Sequence, residues 1–202
     1  DQYEANKHFF LSHYFKENYN TAVANLPYVN SPINITKVEV WITNKTGETT
    51  DSRNIISFLD LGETEGNIQN ILFTTSLPGS YPDNDQANDM YQHLLSQFSG
   101  IRDINQVNNQ LAIPSNLSIN FIGGQDYEKL ERSKKLKETE YTIHPQLGYI
   151  SLNQSLNNDE VLAVAFQYTI GNETFQVGEL TSNGPNAPES LIVKLLKGTT
   201  FS

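Results

Sequence analysis

The four histidines are the side chains of this chain best suited to metal binding or proton transfer near neutral pH. His8 and His13 are five residues apart in a predicted helix, which places them about 140° apart around the helix axis, so they do not face one ligand. Asp89 and His93 are four apart and could share a metal ion, but two ligands are too few for a zinc site and no third is evident. We predict structural or solvent-exposed roles for these residues and for His144.

Acidic and amide side chains cluster at residues 83–89 and raise the question of a calcium site, because hard cations prefer oxygen ligands. The segment lacks the glycine of an EF-hand loop, and Leu94 stands where the bidentate glutamate belongs. We predict a turn and a helix cap here.

Glu63 and Glu65 lie in a glycine-containing loop and would act in glycoside hydrolysis only with a partner carboxylate at a defined separation. We predict that both are solvated.

Several kinds of reactive site are excluded by what the sequence lacks. The chain has no cysteine, which excludes disulfides, thiolate metal sites and a cysteine nucleophile. It also contains no Gly-x-Ser-x-Gly nucleophile elbow, no P-loop and no Gly-x-Gly-x-x-Gly fingerprint. We therefore predict no catalytic residue, no cofactor-binding residue and no metal ligand, in a protein that is not an enzyme.

The formal net charge of −10 disfavours nucleic acid as a partner, because an acidic surface repels phosphate backbones. One positive cluster is interleaved with Glu128, Glu131 and Glu138, and its basic members are Lys129, Arg132, Lys134, Lys135 and Lys137. We predict a solvated face of mixed charge there, with an interaction surface as the alternative.

The N-terminal quarter predicts a helix followed by two strands. A helix over residues 4–25, ended by Pro27, has an apolar stripe made of Leu11, Phe15, Ala22 and Leu26. In a strand over residues 33–43 the apolar alternation changes phase, which predicts a β-bulge near Thr36 and Lys37. If the even positions of this strand are core, Trp41 faces outward. Residues 55–61 form a second strand, which we expect to be antiparallel to the first.

Helical segments are predicted in the middle of the chain, after a loop over residues 62–87. Asp85 or Asn88 can cap a helix over residues 88–98, and Gly100 stands at its C-cap position. Asp103 can start a short helix over residues 104–111. A brief strand over residues 119–122 follows.

The C-terminal part predicts a series of short strands, over residues 127–137, 141–144, 149–152, 161–170, 174–179 and 191–196. The first of these segments is charged and suits either a strand or a helix, and we favour the strand. Residues 145–148 form a turn with glycine in its last, left-handed position, and Gly171-Asn172 is a two-residue hairpin turn. Strands this short and frequent indicate a small immunoglobulin-like sandwich or a curled sheet.

We therefore expect an α+β fold, with an N-terminal helix on a mixed sheet, a short helical segment and a β-rich, sandwich-like C-terminal half. Residues 1–125 would form the α+β part and residues 126–202 the β-rich part, packed together as one unit. No run of about 18 apolar residues predicts a transmembrane helix. The first residues lack the basic and apolar regions of a signal peptide.

An aromatic helix, a proline-bounded loop and a long strand follow one another in a distinctive succession, at residues 9–20, 26–36 and 38–45. This succession resembles the SprA (Sov) family of giant outer-membrane translocons of the type 9 secretion and gliding-motility system. Two later segments and the end of the chain resemble the same family, at residues 149–156, 159–168 and 193–197. The resemblance extends from about Phe9 to about Lys197.

The resemblance implies that the parent protein forms a very large β-barrel that passes folded cargo across the outer membrane, with roles in surface adhesin export and gliding. This chain shows no series of the roughly 10-residue alternating strands that face lipid. We therefore expect a soluble cap, insert or partner-docking domain with no direct membrane insertion. Its partners would be other segments of the translocon and secretion-system proteins, at the periplasmic or extracellular face of the outer membrane. The resemblance supplies no catalytic residue.

Two other functions stay open. A glycan- or calcium-binding module of an exported surface adhesin would be favoured by an exposed cluster of Tyr and Trp over a groove. A hydrolase would be favoured only by two carboxylates that converge in a cleft.

Overall fold

The computed structural model describes residues 6–63, 85, 88–112 and 121–199. Within these ranges the strands are β1 (His8–Phe10), β2 (Ile33–Ile42), β3 (Ser52–Phe58), β4 (Tyr127–Lys135), β5 (Tyr141–His144), β6 (Tyr149–Leu152), β7 (Leu162–Ile170), β8 (Glu173–Val177) and β9 (Leu191–Lys197). The helices are α1 (His13–Ala22), α2 (Met90–Gln97) and α3 (Val107–Ala112). The α+β prediction is confirmed. No helix in the described part of the chain is long and apolar enough to cross a membrane.

Five strands close into a ring. Its order is β2-β4-β3-β9-β7, and the pairing of β7 with β2 joins the two ends. The β3–β9 pairing is parallel and the other pairings are antiparallel. Strands from both sides of the 125/126 boundary therefore alternate in one sheet, and β8 adds to it as a hairpin on β7. Of the two expected β architectures, the curled sheet is the one that this closure matches.

The interior of the ring is filled by one large side chain and several small ones. Trp41 of β2 is fully buried there, directly opposite Ala163 of β7. The other members of this cluster are Ile55, Ala165, Leu180, Leu191 and Val193. Trp41 does point away from Val40 and Ile42, but the far face of the strand is the ring interior and not solvent. The predicted outward position of Trp41 is therefore wrong.

Two further layers cover the outside of the ring. The outer faces of β2 and β7 pack against α1 and the small sheet β1-β6-β5, in a cluster that includes Leu11, Phe15 and Phe166. The outer faces of β3 and β9 pack against α2 and α3, in a cluster that includes Phe58 and Ile192. Because β7 is covered on both faces, it is an almost continuous apolar run.

The N-terminal helix is shorter than predicted. Residues 8–10 pair with β6 as a strand, and α1 extends only from His13 to Ala22. The aromatic residues that suggested a longer helix also suit a strand, and the backbone of β6 supplies the partner that selects it. Leu26, placed on the core stripe, is 65% exposed, so that prediction is wrong. The predicted start of the helix at residues 4 and 5 lies outside the described residues.

Several local predictions are confirmed. A bulge interrupts β2 between Ile35 and Lys37, the two-residue turn Gly171-Asn172 joins β7 to β8, and Gly148 has a left-handed φ of 72°. Asp103 caps the short 3₁₀ helix before α3 by accepting from the amide of Asn105.

Three other predictions differ from the structure. β3 does not pair with β2, because β4 lies between them and makes their directions parallel. Gly100 is not the C-cap of α2, because the helix ends at Gln97 and Phe98 is the C-cap. Gly100 instead packs so closely against Gln110 that a Cβ would lie 2.5 Å from its Cδ. Residues 121 and 122 are not in a strand, and residues 64–84 and 113–120 lie outside the described residues.

We expect Trp41→Ala to lower the free energy of unfolding by about 3–5 kcal/mol, because it empties the interior of the ring. The measurement is urea denaturation followed by far-ultraviolet circular dichroism, since Trp41 is the only tryptophan. Leu95→Ala, at a position that is 41% exposed, is the control and should change stability by less than about 0.5 kcal/mol. Equal effects of the two substitutions would contradict the closed ring.

Candidate functional site

The histidines lie in separate local contacts. His8 Nδ1 lies 2.6 Å from Ser151 Oγ, His13 Nε2 lies 2.8 Å from Glu17 Oε1, and the His144 ring stacks on Tyr149. His93 lies on α2, where its amide donates to the carbonyl of Asp89 within the helix. No group of three His, Asp or Glu side chains among the described residues could hold a metal ion.

Glu63 is buried, so the prediction that it is solvated is wrong. Its Oε1 lies 2.8 Å from the Nζ of Lys194, which is also almost fully buried, and accepts from the amide of His13 at 3.2 Å. Glu63 thus connects the segment that follows β3 with two other elements. The ion pair connects it with β9, and the hydrogen bond from His13 connects it with the start of α1. Glu65 lies outside the described residues.

The acidic segment at residues 83–89 is described at Asp85, Asn88 and Asp89 only. Asn88 accepts from the amide of Met90 at 2.9 Å and donates to the carbonyls of Asp60 and Glu63. The side chain of Asp89, the residue before α2, makes no capping hydrogen bond to that helix. Asn88 therefore fastens the start of α2 to the segment after β3.

The basic cluster is on and just after β4, where two of its lysines pair with acids. Lys135 Nζ lies 3.0 Å from Glu39 Oε2, and Lys134 Nζ lies 3.6 Å from both Glu48 and Glu140. Glu39 also accepts from the amide and hydroxyl of Thr181. Positive and negative side chains alternate on this surface.

Glu179 is the centre of a polar network that is largely shielded from solvent. Its two oxygens accept from both terminal nitrogens of Arg102 at 2.6 and 2.7 Å, from the hydroxyl of Tyr91 at 2.7 Å and from the amide of Ile192 at 2.7 Å. The hydrogen bond to Glu179 raises the pKa of Arg102, and burial, with that same carboxylate, raises the pKa of Tyr91. Sequence reasoning missed Glu179, because Arg102 is 77 residues away along the chain.

Asp85 lies beside this network and is held by the backbone of the β8 end. Its carboxylate accepts from the amide of Gly178 at 2.9 Å, and its own amide donates to the carbonyl of Gln176 at 2.7 Å. Burial, with the nearby charge of Glu179, raises the pKa of Asp85 to about 7. The carboxyl group therefore titrates near neutral pH.

Half-buried aromatic rings form a cluster where β1, α1 and β6 meet. The ring centroids of Phe10 and Tyr19 are 5.6 Å apart, those of Phe10 and Tyr149 are 6.1 Å apart, and those of Tyr19 and Tyr149 are 6.4 Å apart. In the turn that follows α1 along the chain, Leu26 and Tyr28 are 65% and 72% exposed. We call these five residues the aromatic surface.

A groove of about 490 Å³ adjoins the aromatic surface and shares Phe10 with it. We call it the α1 groove. It is lined by His8, Phe9, Phe10, Ser12, His13 and Lys16 on one side and by Leu59, Glu63, Lys194, Leu195 and Leu196 on the other. Its continuity with the half-buried rings around Phe10 makes it the candidate site. A second groove, of about 510 Å³, lies at the bulge of β2.

Neither a protein-family model nor a curated protein matches this chain.

We expect Glu179→Gln to lower the free energy of unfolding by about 2–3 kcal/mol, because it leaves the guanidinium of Arg102 without its carboxylate. The side chain of Arg102 is 22% exposed, and water limits the loss. Glu173→Gln, at an exposed position of β8, is the matched control. Equal urea midpoints for the two variants would show that the network contributes nothing to stability.

We expect Asp85→Asn to remove a pH dependence of stability. The folded-state pKa of Asp85 lies above its ordinary value of 3.8, so the folded chain binds the extra proton between about pH 4 and pH 7. The stability that this proton contributes is complete below about pH 4 and is lost as the pH rises to about 7.

The measurement is the unfolding free energy of both proteins across this pH range. The variant should gain stability relative to the parent as the pH rises, while the exposed-site control Asp51→Asn should follow the parent. A constant difference between Asp85→Asn and the parent would contradict the raised pKa.

Proposed function

We propose that this chain is a non-catalytic domain of an outer-membrane protein translocon related to SprA, and that it serves type 9 secretion and gliding motility in the cell envelope. Its role there is that of a cap, insert or partner-docking domain. The resemblance of long sequence phrases, from about Phe9 to about Lys197, supports the choice of translocon.

The aromatic surface is the observation that carries the docking role. Phe10, Tyr19 and Tyr149 lie together half-buried, and Leu26 and Tyr28 project from the adjoining turn. Aromatic side chains are enriched in protein interfaces, and exposed apolar patches mark interaction sites. The partners we propose are other segments of the translocon and other secretion-system proteins.

The buried charges are compatible with a structural domain. Glu179 with Arg102, and Glu63 with Lys194, each join segments that are far apart in sequence. Glu179 also accepts from the amide of Ile192, and Lys194 also donates to the carbonyl of Leu59. These carboxylates thus stabilise the fold in the described structure.

A glycan-binding module of an exported adhesin is the second candidate, since the aromatic surface borders a groove. Trp41, which was predicted to face outward, is fully buried in the ring and cannot belong to an exposed cluster. The candidate therefore depends on the aromatic rings of the aromatic surface.

We expect in-frame excision of these 202 residues from the gene that encodes them to abolish or deregulate protein secretion. The measurement is the amount of cargo in the medium, with the outer-membrane level of the remaining protein as control. Unchanged secretion at a normal membrane level would contradict the proposed role.

A sharper form of this test substitutes only the aromatic surface. Leu26→Asp combined with Tyr28→Asp should reduce secretion and cross-linking to translocon partners, because it places charges where apolar groups dock. Leu95→Asp, on α2, is the matched control and should change neither. Both variants are checked for folding by circular dichroism, so that loss of function is not loss of structure.

A further inference from the structure

The α1 groove has polar and apolar groups on both walls. The wall formed by β1 and the start of α1 carries Phe9 and Phe10 beside Ser12 and Lys16. The opposite wall, formed by the segment after β3 and by β9, carries three leucines beside the ion pair of Glu63 and Lys194. A volume of about 490 Å³ is in the range of ligand-binding clefts. The groove therefore suits a ligand that has both a polar and an apolar side.

One edge of the groove is formed by β1, whose outer side pairs with no other strand in the described residues. In the antiparallel β1–β6 pair the carbonyl of Lys7 accepts from Leu152, and the amide of Leu11 donates to Gly148. The bonded residues alternate along an antiparallel strand, so the amide and carbonyl of Phe10 point away from β6. Neither group has a hydrogen-bond partner within the described ranges, where β1 is the outer strand of its sheet.

Ser12 supplies a second unused polar group. It precedes α1 and lines the groove, it is 5% exposed, and its side chain makes no capping hydrogen bond. No described residue contacts its Oγ by a hydrogen bond. A buried hydroxyl without a partner costs free energy, and here it lies at the positive end of a ten-residue helix.

The charge of the groove is positive although the chain is acidic. Lys16 follows Ser12 by one helical turn, on the same side of α1, and no described carboxylate pairs with it. Glu63 is neutralised by Lys194 at 2.8 Å. With the histidines neutral, two positive and one negative side chain line the groove, so its formal charge is +1 against −10 for the chain.

We propose that the α1 groove binds an extended peptide segment that carries an acidic side chain. The peptide backbone pairs with the amide and carbonyl of Phe10 as an added strand, and the carboxylate accepts from Ser12 and Lys16. Its apolar side chains lie against Leu195 and Leu196. Strand addition supplies affinity through main-chain hydrogen bonds, and the side-chain contacts supply specificity. This inference deepens the docking role and rests on it, and it names the chemistry of the partner.

The test is a titration of the isotope-labelled 202-residue chain followed by NMR. The probe is acetyl-Val-Thr-Val-Glu-Val-Thr-Val-amide, whose blocked ends leave the glutamate as its only charge. The amide signals of Phe10, Ser12 and Lys16 should shift, and that of Lys37 on β2 should not. The same peptide with glutamine in place of glutamate should bind about tenfold more weakly, because a charge-assisted hydrogen bond is lost.

Matched variants separate the site from general charge effects. Lys16→Glu should abolish binding, whereas Lys37→Glu, the same change at an exposed lysine outside the groove, should leave it unchanged. Ser12→Ala should weaken binding several-fold without lowering stability, since Ser12 makes no capping bond. Equal losses for Lys16→Glu and Lys37→Glu would overturn the proposal.

Other probes define the remaining outcomes. Benzoate that binds as tightly as the peptide would overturn strand addition, because it has no backbone. A neutral oligosaccharide, cellotetraose, that shifts these signals when the peptide does not would assign the groove to glycans and overturn the proposal. These results are independent of the secretion test. If the peptide binds but excision of the domain leaves secretion unchanged, the binding site is supported and the translocon role is contradicted. If excision abolishes secretion but the peptide does not bind, the translocon role is supported and the peptide site is contradicted.

Discussion

The closure of five strands around Trp41 is the constraint on which the rest of the structure depends. A ring of this size has room for one large side chain, and the facing residues Ala163 and Ala165 are small. The space beside Ala165 also restricts position 178 to glycine. A Cβ on Gly178 would lie 3.1 Å from the Cβ of Ala165, and Gly178 has a φ of +76°. Close packing of this kind makes each member of the interior sensitive to the volume of its neighbours.

Closure also decides how the other layers attach. Because the interior is filled by the inner faces of the strands, the outer faces of β2, β7, β3 and β9 remain apolar and must be covered. α1 with the small sheet covers one side, and α2 with α3 covers the other. Buried ion pairs fasten both coverings, through Lys194 with Glu63 on one side and Arg102 with Glu179 on the other. Breaking a buried pair is costly, so these contacts also specify where the coverings sit.

The surfaces that we assign to docking follow from the same arrangement. β6 draws residues 8–10 into a strand, and this strand places Phe10 beside Tyr19 and Tyr149. The chain then turns at Ser12 into α1, which leaves Ser12 and Lys16 among the residues that line the α1 groove. A longer N-terminal helix would have produced neither the strand edge nor the groove.

Features that depend on neighbouring residues could be predicted from the sequence. The phase change in β2 requires a bulge, Gly171-Asn172 requires a tight hairpin, and the left-handed position at Gly148 requires glycine. Contacts between distant parts of the chain place Trp41 inside a ring, bury Glu63 and bring Arg102 to Glu179 across 77 residues. Alternation along a strand separates its two faces but does not say what covers each face. What covers each face depends on strand pairings and ion pairs between residues far apart in the chain, and local sequence patterns do not predict these.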